Sequence, residues 1–457
     1  MSTETWDAYK SRGSLFGQSE ALKGIRVVEV ATLVYGPLAG SILGHFGAEI
    51  IKVELPPLGD TMRGVTPFGE LHKGAGSYGL MTVSQNKYAL GLDLHLEEAQ
   101  QVFHRIIKES DVVVENLRSG AMEAWNCGYR NCQEVNPGII YVAMNGFGQW
   151  GPWAEENRSS YDALAQSWSG HGWMTGFPDR TPLKPAIWVQ DGYGGMMGAG
   201  SVMAALNYRE KTGKGQFIEL SQSENGIRML AQWYAHQSIT GKEPFRSGNR
   251  DLCICPADVF RCKEDRLIAI AAPQPQEFKG LCEAMGKPNL VYDPRFKDHT
   301  TRLKDENATE ILKIISDWAI TKTVEEIDLL AMEYGFAASQ IYNAEELCKH
   351  KAYLERQTIA TFDDPVWGPM QDIASPVKMS KTPPRLKWLG RPTGMDNDYI
   401  LKKFGYSDEE IAGFYERKVV SKGRPNVPAS MPPVDWDGKR GITMDLGFDN
   451  FGKEEKK

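Results

Sequence analysis

Residues Ile25 to Glu54 read IRVVEVATLVYGPLAGSILGHFGAEIIKVE, and this stretch decides the fold. Its first seven residues are a mostly β-branched run of the kind that a buried parallel strand needs. Leu38 to Phe46 is typical of a short helix, Gly47 ends that helix, and Glu49 to Glu54 supplies a second strand. A strand, a helix and a strand within about thirty residues predict a βαβ unit.

The same alternation continues along the chain. Leu96 to Ser110 predicts an amphipathic helix, and apolar runs at Asp111 to Glu115 and Gly138 to Met144 predict two more strands. The turn KTGKG leads into a further strand at Gln216 to Leu220. We therefore expect an α/β protein whose large domain is a Rossmann-like, doubly wound open parallel sheet.

A second, smaller domain is predicted beyond about residue 241. A helix from about Ser223 to Ile239 leads out of the first domain. Ala257 to Ala272 predicts a hairpin that turns at Glu264 and Asp265. Because helical patterns follow it, we expect a small α+β domain; these patterns lie at 276–285, 303–319 and 323–333.

The C-terminal part is predicted to return to the large domain. Ala344 to Glu355 predicts a helix, and Thr358 to Pro376 with Val377 to Met379 predicts short β segments. From Val420 the chain is proline-rich and weakly patterned, which is typical of an extended tail. The predicted segments are 1–225 (large domain), 226–244 (linker), 245–340 (small domain), 341–420 (linker and return to the large domain) and 421–457 (C-terminal extension).

Composition excludes several classes of function. The 457 residues carry 52 Lys+Arg and 59 Asp+Glu, a formal charge of −7, and the only lysine-rich block is the final KEEKK. This pattern argues against a nucleic-acid partner. The N-terminus is polar and no apolar run approaches the ~18 residues that span a bilayer, so we expect a cytoplasmic protein without a membrane partner.

The cysteine pattern argues against a metal site. The seven cysteines include no C-x-x-C pair, because Cys127 and Cys132 are five residues apart and Cys253 and Cys255 are two apart. H-E-x-x-H is also absent. We expect reduced thiols and no bound metal.

The sequence also lacks the motifs of two chemistries that are common in α/β proteins, dinucleotide binding and serine hydrolysis. Glu54, at the end of the second strand, could bind the ribose of a dinucleotide, but ATLVYGPLAG stands where G-x-G-x-x-G should follow the first strand. A nicotinamide cofactor is therefore disfavoured. Serine hydrolysis is disfavoured as well, because no G-x-S-x-G elbow joins a strand to a helix.

The order of motifs resembles the class III coenzyme A transferases, the family of formyl-CoA transferase and carnitine CoA-transferase. The resemblance covers roughly residues 22 to 420 and rests on LKGIRVVEVA, FGAEIIKVE, GD-x-x-R, SQNKYALGLDL, VVVENLRSGAM, NPGIIYVAMNGFGQWGP, YDALAQSWSG and REKTGKGQFIELS. It implies two-domain subunits, each an open ring, with two subunits interlocked as a dimer. It also implies a transferase that uses acyl-CoA as a substrate and holds no cofactor tightly.

The resemblance places the nucleophile at Asp191, in WVQDGYGGMMGAG. Such a carboxylate can attack an acyl-CoA thioester to form a mixed anhydride, which the CoA thiolate converts into an aspartyl-CoA thioester. Gly192, Gly194 and Gly195 would leave room for the thioester and offer backbone N–H groups to the oxyanion. Alternatively, Asp191 caps a helix that begins near Gly192, and the glycines allow tight helix packing.

A second acid, Asp162 in YDALAQ, matches a family position near the nucleophile. It could tune or orient the site, or cap the helix that runs through Gln166. Tyr161 matches a family aromatic residue at the CoA pantetheine, or belongs to the core. The racemase branch of the family has a histidine just before this acid; here Ser160 and Tyr161 stand there, which favours a transferase over a racemase.

The resemblance also assigns the CoA contacts. Arginines that often follow the second-strand glutamate and the GAM segment are replaced by Leu55 and Ala124, so that Arg63 and Arg118 are the cations left to bind phosphate or face solvent. Gly248 to Arg250 matches the start of a family loop that covers the site. The remaining predicted contacts are Leu33, Val34, Tyr35, Gly36, Asn86, Lys87, Leu92, His95, Asn116, Leu117, Ala124 and Trp125.

The acids exchanged are less clear from the sequence. Tryptophans around the two acids, together with Met196 and Met197, could form an apolar acyl pocket or ordinary core; they are Trp150, Trp153, Trp168, Trp173 and Trp188. A pocket would favour an aromatic or branched acceptor, as in a succinyl-CoA:benzylsuccinate CoA-transferase subunit. The partners expected are an acyl-CoA donor, a carboxylic acid acceptor and a second subunit, identical or related. An acyl-CoA racemase or isomerase and a noncatalytic subunit of a heteromer are the alternatives.

Overall fold

A computed structural model of the chain describes residues 19–56, 58–67, 77–156 and 158–423. The polar N-terminus up to residue 18 and the predicted extension from residue 424 onward lie outside the described residues. The packing of the described residues separates two units. The first comprises the residues up to Ser169, Ala186–Ala231 and those from Lys351, and the second comprises Gly170–Pro185 and Gln232–His350.

Strands and helices alternate along most of the described chain. The strands are β1 (Arg26–Val30), β2 (Glu49–Glu54), β3 (Lys87–Gly91), β4 (Val112–Glu115), β5 (Ile140–Asn145), β6 (Gln216–Ser221), β7 (Ala257–Arg261), β8 (Leu267–Ala271), β9 (Ala337–Gln340), β10 (Ile359–Asp364) and β11 (Gly368–Ile373). The helices are α1 (Tyr35–His45), α2 (Tyr78–Val83), α3 (Glu97–Ile107), α4 (Ala121–Ala124), α5 (Tyr129–Val135), α6 (Pro152–Glu155), α7 (Asp162–Trp168), α8 (His171–Met174), α9 (Val189–Thr212), α10 (Gln222–Met229), α11 (Ala231–Thr240), α12 (Pro275–Ala284), α13 (His299–Arg302), α14 (Asp305–Ala319), α15 (Val324–Tyr334), α16 (Ala344–Lys349), α17 (Lys351–Glu355), α18 (Asn397–Lys403) and α19 (Asp408–Glu416). Short 3₁₀ turns lie at Thr61–Gly64, Lys263–Asp265 and Pro288–Tyr292.

The first unit is built on a six-stranded parallel sheet in the order β3-β2-β1-β4-β5-β6. Val28 of β1 is in register with Ile51 of β2 on one side and with Val113 of β4 on the other. The predicted fold class, a doubly wound parallel sheet, is confirmed. In such a sheet the strand order reverses between β1 and β4, so the loops after these two strands border a crevice at the carboxyl edge.

Both faces of this sheet are buried, which explains why its strands are almost continuously apolar. Val28 and Val113 point to one face, where they pack with residues of α3, α18 and α19. Val27 and Val112 point to the other face and pack with α1 and α9. Side chains that alternate along each strand therefore pack into two apolar layers, one on each face of the sheet.

Buried charges interrupt the apolar layers beneath the loop after β1. The Lys52 ammonium lies 2.9 Å from a Glu29 oxygen and 2.9 Å from Asp60, and the Lys87 ammonium lies 2.8 Å from the other Glu29 oxygen. We call these four residues the Glu29 network. Burial disfavours the charge on Lys52, but the surrounding carboxylates outweigh it and hold the pKa of Lys52 above its usual range.

The Glu29 network fixes the backbone of the loop after β1. Asp60 accepts hydrogen bonds from the N–H groups of Leu33 and Met62, both at 2.8 Å. Leu33 has a φ of 63°, a left-handed conformation that a side chain of its type seldom adopts. The hydrogen bond from its N–H to Asp60 holds that strained residue in place.

Replacing Lys52 by methionine should destabilise the protein by ~3–5 kcal/mol, because Glu29 and Asp60 would each lose a buried positive partner. Lys402→Met is the matched control: its pair with Asp408 is exposed and should contribute less than about 1 kcal/mol. Urea unfolding of the two variants and the native protein measures both values. Equal losses for the two variants would contradict this account of the network.

The second unit contains a three-stranded antiparallel sheet, β7-β8-β9, covered by α12, α14 and α15. The predicted hairpin is confirmed, and Glu264 and Asp265 at its turn have φ values of 59° and 60°. The three predicted helical segments are also present. Strand β9 is not predicted from the sequence, because its residues AASQ lack the β-branched and aromatic side chains that signal a strand.

The second unit also includes Gly170–Pro185, which the predicted boundary at residue 225 assigns to the large domain. Arg246 donates hydrogen bonds to the carbonyl oxygens of Trp173, Phe177 and Arg180 at 3.1–3.3 Å. Local sequence does not reveal such a connection between segments some seventy residues apart. The predicted domain boundaries themselves stay a prediction.

Three predicted elements differ from those observed. The helix predicted from Ser223 to Ile239 is two helices, α10 and α11, and the one from Ala344 to Glu355 is divided at His350, whose backbone is extended. Val377 to Met379 is not a strand; β10 and β11 pair with each other and form a hairpin without it. In the described ranges, no helix is both long and apolar enough to cross a bilayer.

Candidate active site

The two predicted acids meet at the start of α9, at the carboxyl edge of the sheet. Asp162 Oδ1 accepts hydrogen bonds from the backbone N–H groups of Gln190, at 2.7 Å, and Asp191, at 3.2 Å. Both carboxylates are buried, with 3% of Asp162 and 7% of Asp191 exposed. Asp162 therefore satisfies two of the free N–H groups that begin α9 and places Asp191 in its first turn.

Asp191 is not the N-cap residue of α9, and Asp162 is not the N-cap residue of α7, although the sequence allowed both roles. Helix α9 begins at Val189 rather than near Gly192, so Asp191 is its third residue, and the N-cap position belongs to Trp188. Asp162 is the first residue of α7, whose N-cap residue is Tyr161. The capping role of Asp162 is real but is directed at α9, a helix 28 residues away along the chain.

Asp191 is held in an environment that resists its ionisation. Burial and the adjacent Asp162 raise the pKa of Asp191 from its usual value of 3.8 to about 7, although a hydrogen bond from Gln222 lowers it. At neutral pH a large fraction of Asp191 is therefore ionised. Such a carboxylate is poorly solvated, and poor solvation favours nucleophilic attack.

The glycines after Asp191 allow close helix packing. A Cβ on Gly194 would lie 1.9 Å from the Tyr35 ring, and one on Gly195 would lie 2.8 Å from Leu38. The N–H of Gly192 donates to the Trp188 carbonyl at 2.9 Å, and the later glycines lie within the hydrogen-bonded helix. The expectation that these N–H groups serve an oxyanion is therefore wrong for this arrangement, because they are already used within the helix.

Sequence reasoning missed a third element of the site, the first turn of α10. Gln222 is 5% exposed and donates a hydrogen bond from Nε2 to Asp191 Oδ1. Its Oε1 accepts a hydrogen bond of 2.7 Å from the Ser160 hydroxyl. Asn225, one turn later, donates to the Tyr35 hydroxyl at 2.8 Å. The position of Gln222 immediately after a parallel strand was the one signal that could have identified it.

An open pocket lies next to this hydrogen-bonded chain. It is formed by the loop after β4, the loop after β5 and the segment before α7. Ser160 connects it to Gln222 and thus to Asp191. The lining residues are Asn116, Leu117, Arg118, Ser119, Asn145, Gly146, Phe147, Gly148, Trp153, Ala154, Arg158, Ser159, Ser160 and Tyr161.

Four predicted CoA contacts line this pocket: Asn116, Leu117, Arg118 and Tyr161. Asn116 exchanges two hydrogen bonds of 2.8 Å with the backbone of Thr32, so it joins the loop after β4 to the loop after β1. Arg118 donates to Ser159 at 2.7 Å and is exposed. The pocket thus has a positive group that could bind an anion.

Other predicted contacts are buried and carry structural hydrogen bonds. Lys87, 2% exposed, bonds to Glu29 and to two carbonyl oxygens, and Asn86 bonds to the backbone of the 385–388 segment. Arg63 is paired with Glu54 at 2.5 Å. Glu54, which was considered as a ligand for the ribose of a dinucleotide, is therefore already paired with Arg63. In the structure, Lys87, Asn86 and Arg63 make structural contacts. That any of them also binds CoA stays a prediction.

The remaining predicted contacts lie at three further places. In the loop after β1 and the start of α1, Val34 and Tyr35 are buried and Gly36 lies against Ala31 and Asn116. Leu92 is buried and bridges to Val420. The His95 ring lies 4.8 Å from the Trp125 ring, in a region that also holds the exposed Ala124.

The structure groups only some of the predicted aromatic residues. The rings of Trp153 and Trp168 lie 6.0 Å apart, and Phe147, which the sequence analysis did not single out, contacts both at 5.4 and 4.4 Å. We call these three residues the aromatic cluster. Trp150 is largely exposed and Trp173 belongs to the second unit. Trp188, Met196 and Met197 are also exposed.

Comparison with known proteins decides the family. A sequence model described as CoA-transferase family III matches residues 22–397. The chain belongs to this family, and it is an enzyme of the family's class. The resemblance inferred from the ordered motifs is therefore confirmed. Within the described residues, no group of three or more His, Cys, Asp or Glu side chains is arranged to hold a metal ion.

The chain is similar to several members of the family over most of its length. It is 30% identical to a succinyl-CoA–D-citramalate CoA-transferase of Chloroflexus aurantiacus, covering 87% of this chain and 98% of that protein. It is 31% identical to a succinyl-CoA:mesaconate CoA-transferase of Haloarcula hispanica, covering 80% and 91%. Among solved structures, a CaiB/BaiF family protein from Brucella suis matches with a TM-score of 0.73 at 25% identity, covering 85% and 100%.

Removing the buried charge should stabilise the protein at high pH. Because the pKa of Asp191 is raised on folding, the folded state retains a proton that the unfolded chain loses, and stability falls as pH rises from about 4 to about 7. Asp191→Asn cannot ionise, so it should exceed the native protein by ~2–4 kcal/mol at pH 8, with the gap shrinking toward pH 4.

Urea unfolding at pH 4, 5 and 8 measures this gap. Asp179→Asn, at an exposed position, is the control and should show no pH-dependent gain. If Asp191→Asn is no more stable than the native protein at pH 8, the ionised Asp191 carboxylate does not destabilise the folded state, and this account of its raised pKa is wrong.

Proposed function

We propose that this enzyme moves coenzyme A from an acyl-CoA donor, such as succinyl-CoA, to a carboxylic acid, with Asp191 as the covalent nucleophile. Family membership establishes the class of reaction. The observation that supports the nucleophile is the Asp191 carboxylate itself, which is buried beside a second carboxylate and linked through Gln222 to Ser160 at the wall of an open pocket. Among the described residues, only Oδ1 of Asp191 receives a side-chain hydrogen bond, so Oδ2 is the oxygen free to attack.

The first half of the reaction charges the enzyme. Asp191 Oδ2 attacks the thioester carbonyl carbon, the carbon–sulfur bond breaks, and the CoA thiolate leaves with the electron pair. The thiolate then attacks Asp191 Cγ and displaces the donor acid as a carboxylate, which leaves an aspartyl-CoA thioester. No net proton is taken up or released in these steps.

The second half repeats these steps in reverse with another acid. The acceptor carboxylate attacks Asp191 Cγ and releases the thiolate, and the thiolate attacks the acceptor carbonyl to give the new thioester and free Asp191. Asp162 stays in place throughout as the acceptor of the two N–H groups that position Asp191. Arg118 and Arg158 at the pocket are cations that can attract the anionic substrates.

Asp191→Ala should abolish covalent labelling. After incubation with succinyl-CoA, the Asp191 peptide of the native protein should carry a CoA adduct, and hydroxylamine should convert the activated carboxylate into a hydroxamate that mass spectrometry detects. Turnover should fall by at least ~10³-fold in the variant, since no other group supplies the nucleophile. Asp179→Ala, an exposed aspartate, is the control and should label normally.

An unlabelled Asp191 with several acyl-CoA donors would contradict the proposal. Solvent deuterium uptake at the α-carbon without an acceptor acid would then support an acyl-CoA isomerase or racemase. Ser160 and Tyr161 stand just before Asp162, where the racemase branch has a histidine, and neither supplies an imidazole base; the Ser160 hydroxyl donates to Gln222.

We propose a branched or aromatic acid as the acceptor. The aromatic cluster places Phe147 and Trp153 at the wall of the pocket, where they could contact an apolar substituent. The named substrates of the similar Chloroflexus and Haloarcula enzymes, citramalate and mesaconate, are branched dicarboxylic acids. A similar enzyme of Acetobacter aceti is named for oxalate, which has no such substituent.

Trp153→Ala should lower kcat/KM for a branched or aromatic acceptor by about 10-fold and leave that for oxalate within about twofold, because only the former contacts the ring. Mesaconate, benzylsuccinate and oxalate are compared as acceptors with succinyl-CoA as donor. Trp150→Ala, at a largely exposed tryptophan, is the matched control. Oxalate as the best acceptor, or an equal loss for all three acids, would contradict this choice of acceptor.

The assembly is also a proposal. We infer the interlocked dimer of the family, either of two identical chains or with a related subunit. The chain is about equally similar to the alpha and beta subunits named for a succinyl-CoA–L-malate CoA-transferase, at 30% and 29% identity. Turnover by the purified chain alone would support a homodimer and exclude a noncatalytic subunit.

A further inference from the structure

Gln222 is hydrogen-bonded to the proposed nucleophile, Asp191. It is the first residue of α10, directly after the carboxyl end of β6, and its amide is buried. Nε2 donates a hydrogen bond to Asp191 Oδ1. Within the described part of the chain, this is the only side-chain donor recorded on the Asp191 carboxylate.

The acceptor-only carboxylate of Asp191 sets the orientation of this amide. An ionised carboxylate can only accept hydrogen bonds, so the NH₂ group of Gln222 must face Asp191. Its carbonyl oxygen then faces Ser160, whose hydroxyl donates to it at 2.7 Å. Ser160 is itself packed against Gly146, where a Cβ would lie 2.2 Å from that of Ser160.

The backbone at the start of α9 cannot take over this role. The N–H groups of Gln190 and Asp191 are directed to Asp162, and the N–H of Gly192 donates to the Trp188 carbonyl. An oxyanion that forms on Asp191 Oδ1 therefore has Gln222 as its recorded donor.

We propose that Gln222 is a catalytic residue whose amide stabilises the oxyanion formed on Asp191 Oδ1 when CoA thiolate or the acceptor acid attacks Asp191 Cγ. The inference rests on the proposed function. In the anhydride, Oδ2 is the bridging oxygen and Oδ1 the carbonyl oxygen. Thiolate attack on Cγ moves an electron pair onto Oδ1. The pair returns when the Cγ–Oδ2 bond breaks, and the donor acid leaves with Oδ2.

The role of Gln222 is specific to two of the four steps. When Asp191 attacks an acyl thioester, or when thiolate attacks the acceptor carbonyl, the oxyanion forms on the substrate and Gln222 does not face it. When the attack is on Asp191 Cγ, the negative charge develops on the atom that Gln222 already contacts. Removing one preorganised donor of this kind typically costs ~10²–10³ in rate.

Gln222→Met tests this selectivity, because methionine keeps the unbranched shape and lacks the donor. The variant should still form the acyl anhydride on Asp191 from succinyl-CoA, but conversion to the aspartyl-CoA thioester should slow by ~10²-fold. Rapid quenching followed by peptide mass spectrometry measures the ratio of the two adducts. The anhydride should accumulate in the variant and not in the native protein.

Two further variants separate chemistry from folding. Gln85→Met makes the same chemical change at a buried glutamine that donates to Asp372 instead, and it should leave the ratio of adducts unchanged. Ser160→Ala removes only the hydroxyl that orients Gln222, and it should shift the ratio in the same direction by a smaller factor. Thermal unfolding and near-ultraviolet circular dichroism establish that each variant is folded.

The outcomes distinguish this inference from the proposed function. If the native Asp191 peptide carries neither adduct, the proposed function fails and the inference fails with it. If the native peptide carries both adducts and folded Gln222→Met shows the same ratio, Gln222 has only a structural role. If Gln222→Met forms no anhydride while the native protein does, Gln222 acts before acylation and the assigned step is wrong.

Discussion

The candidate active site depends on the two backbone hydrogen bonds from the start of α9 to the Asp162 carboxylate. The first turn of a helix leaves N–H groups without partners, and a carboxylate is the strongest acceptor available to them. By satisfying the N–H groups of Gln190 and Asp191, Asp162 fixes where α9 begins. The same contact places the Asp191 carboxylate next to a like charge, which adds to the effect of burial in raising the pKa of Asp191.

The parallel sheet explains why the other groups converge on Asp191. Successive strands end at the same edge, so residues that follow β5 and β6 become neighbours although they are far apart in sequence. Gly146 after β5 leaves room for Ser160, and Gln222 follows β6; the hydrogen bonds of Ser160 and Gln222 connect the pocket to Asp191. On the other side, the glycines of α9 let Tyr35 and Leu38 of α1 pack against the helix that carries Asp191. The rigidity of the site thus comes from close packing on one side and polar contacts on the other.

Two groups of buried charges in this unit have different consequences. In the Glu29 network each charge has an opposite partner, and Lys52 stays protonated because carboxylates surround it. At Asp191 the nearest charge has the same sign, and an amide is the compensating group. The first arrangement fixes the loop after β1, whereas the second leaves a carboxylate poorly solvated. Asp60 and Asp191 look equivalent in sequence but have different neighbours, because Asp60 is paired with Lys52 whereas Asp191 lies beside Asp162.

The sequence by itself determined the α/β class with its doubly wound parallel sheet, the hairpin of the second unit and the family, because period, turn chemistry and ordered motifs are local signals. It also pointed to both acids. The contact of the Gln222 amide with Asp191, the burial of Lys87 and Arg63, and the association of Gly170–Pro185 with the second unit are not encoded in local sequence. Each of these depends on contacts between residues distant in the chain. Only the tertiary structure decided them, because the solvation and hydrogen-bond partners of a side chain are set by what packs around it.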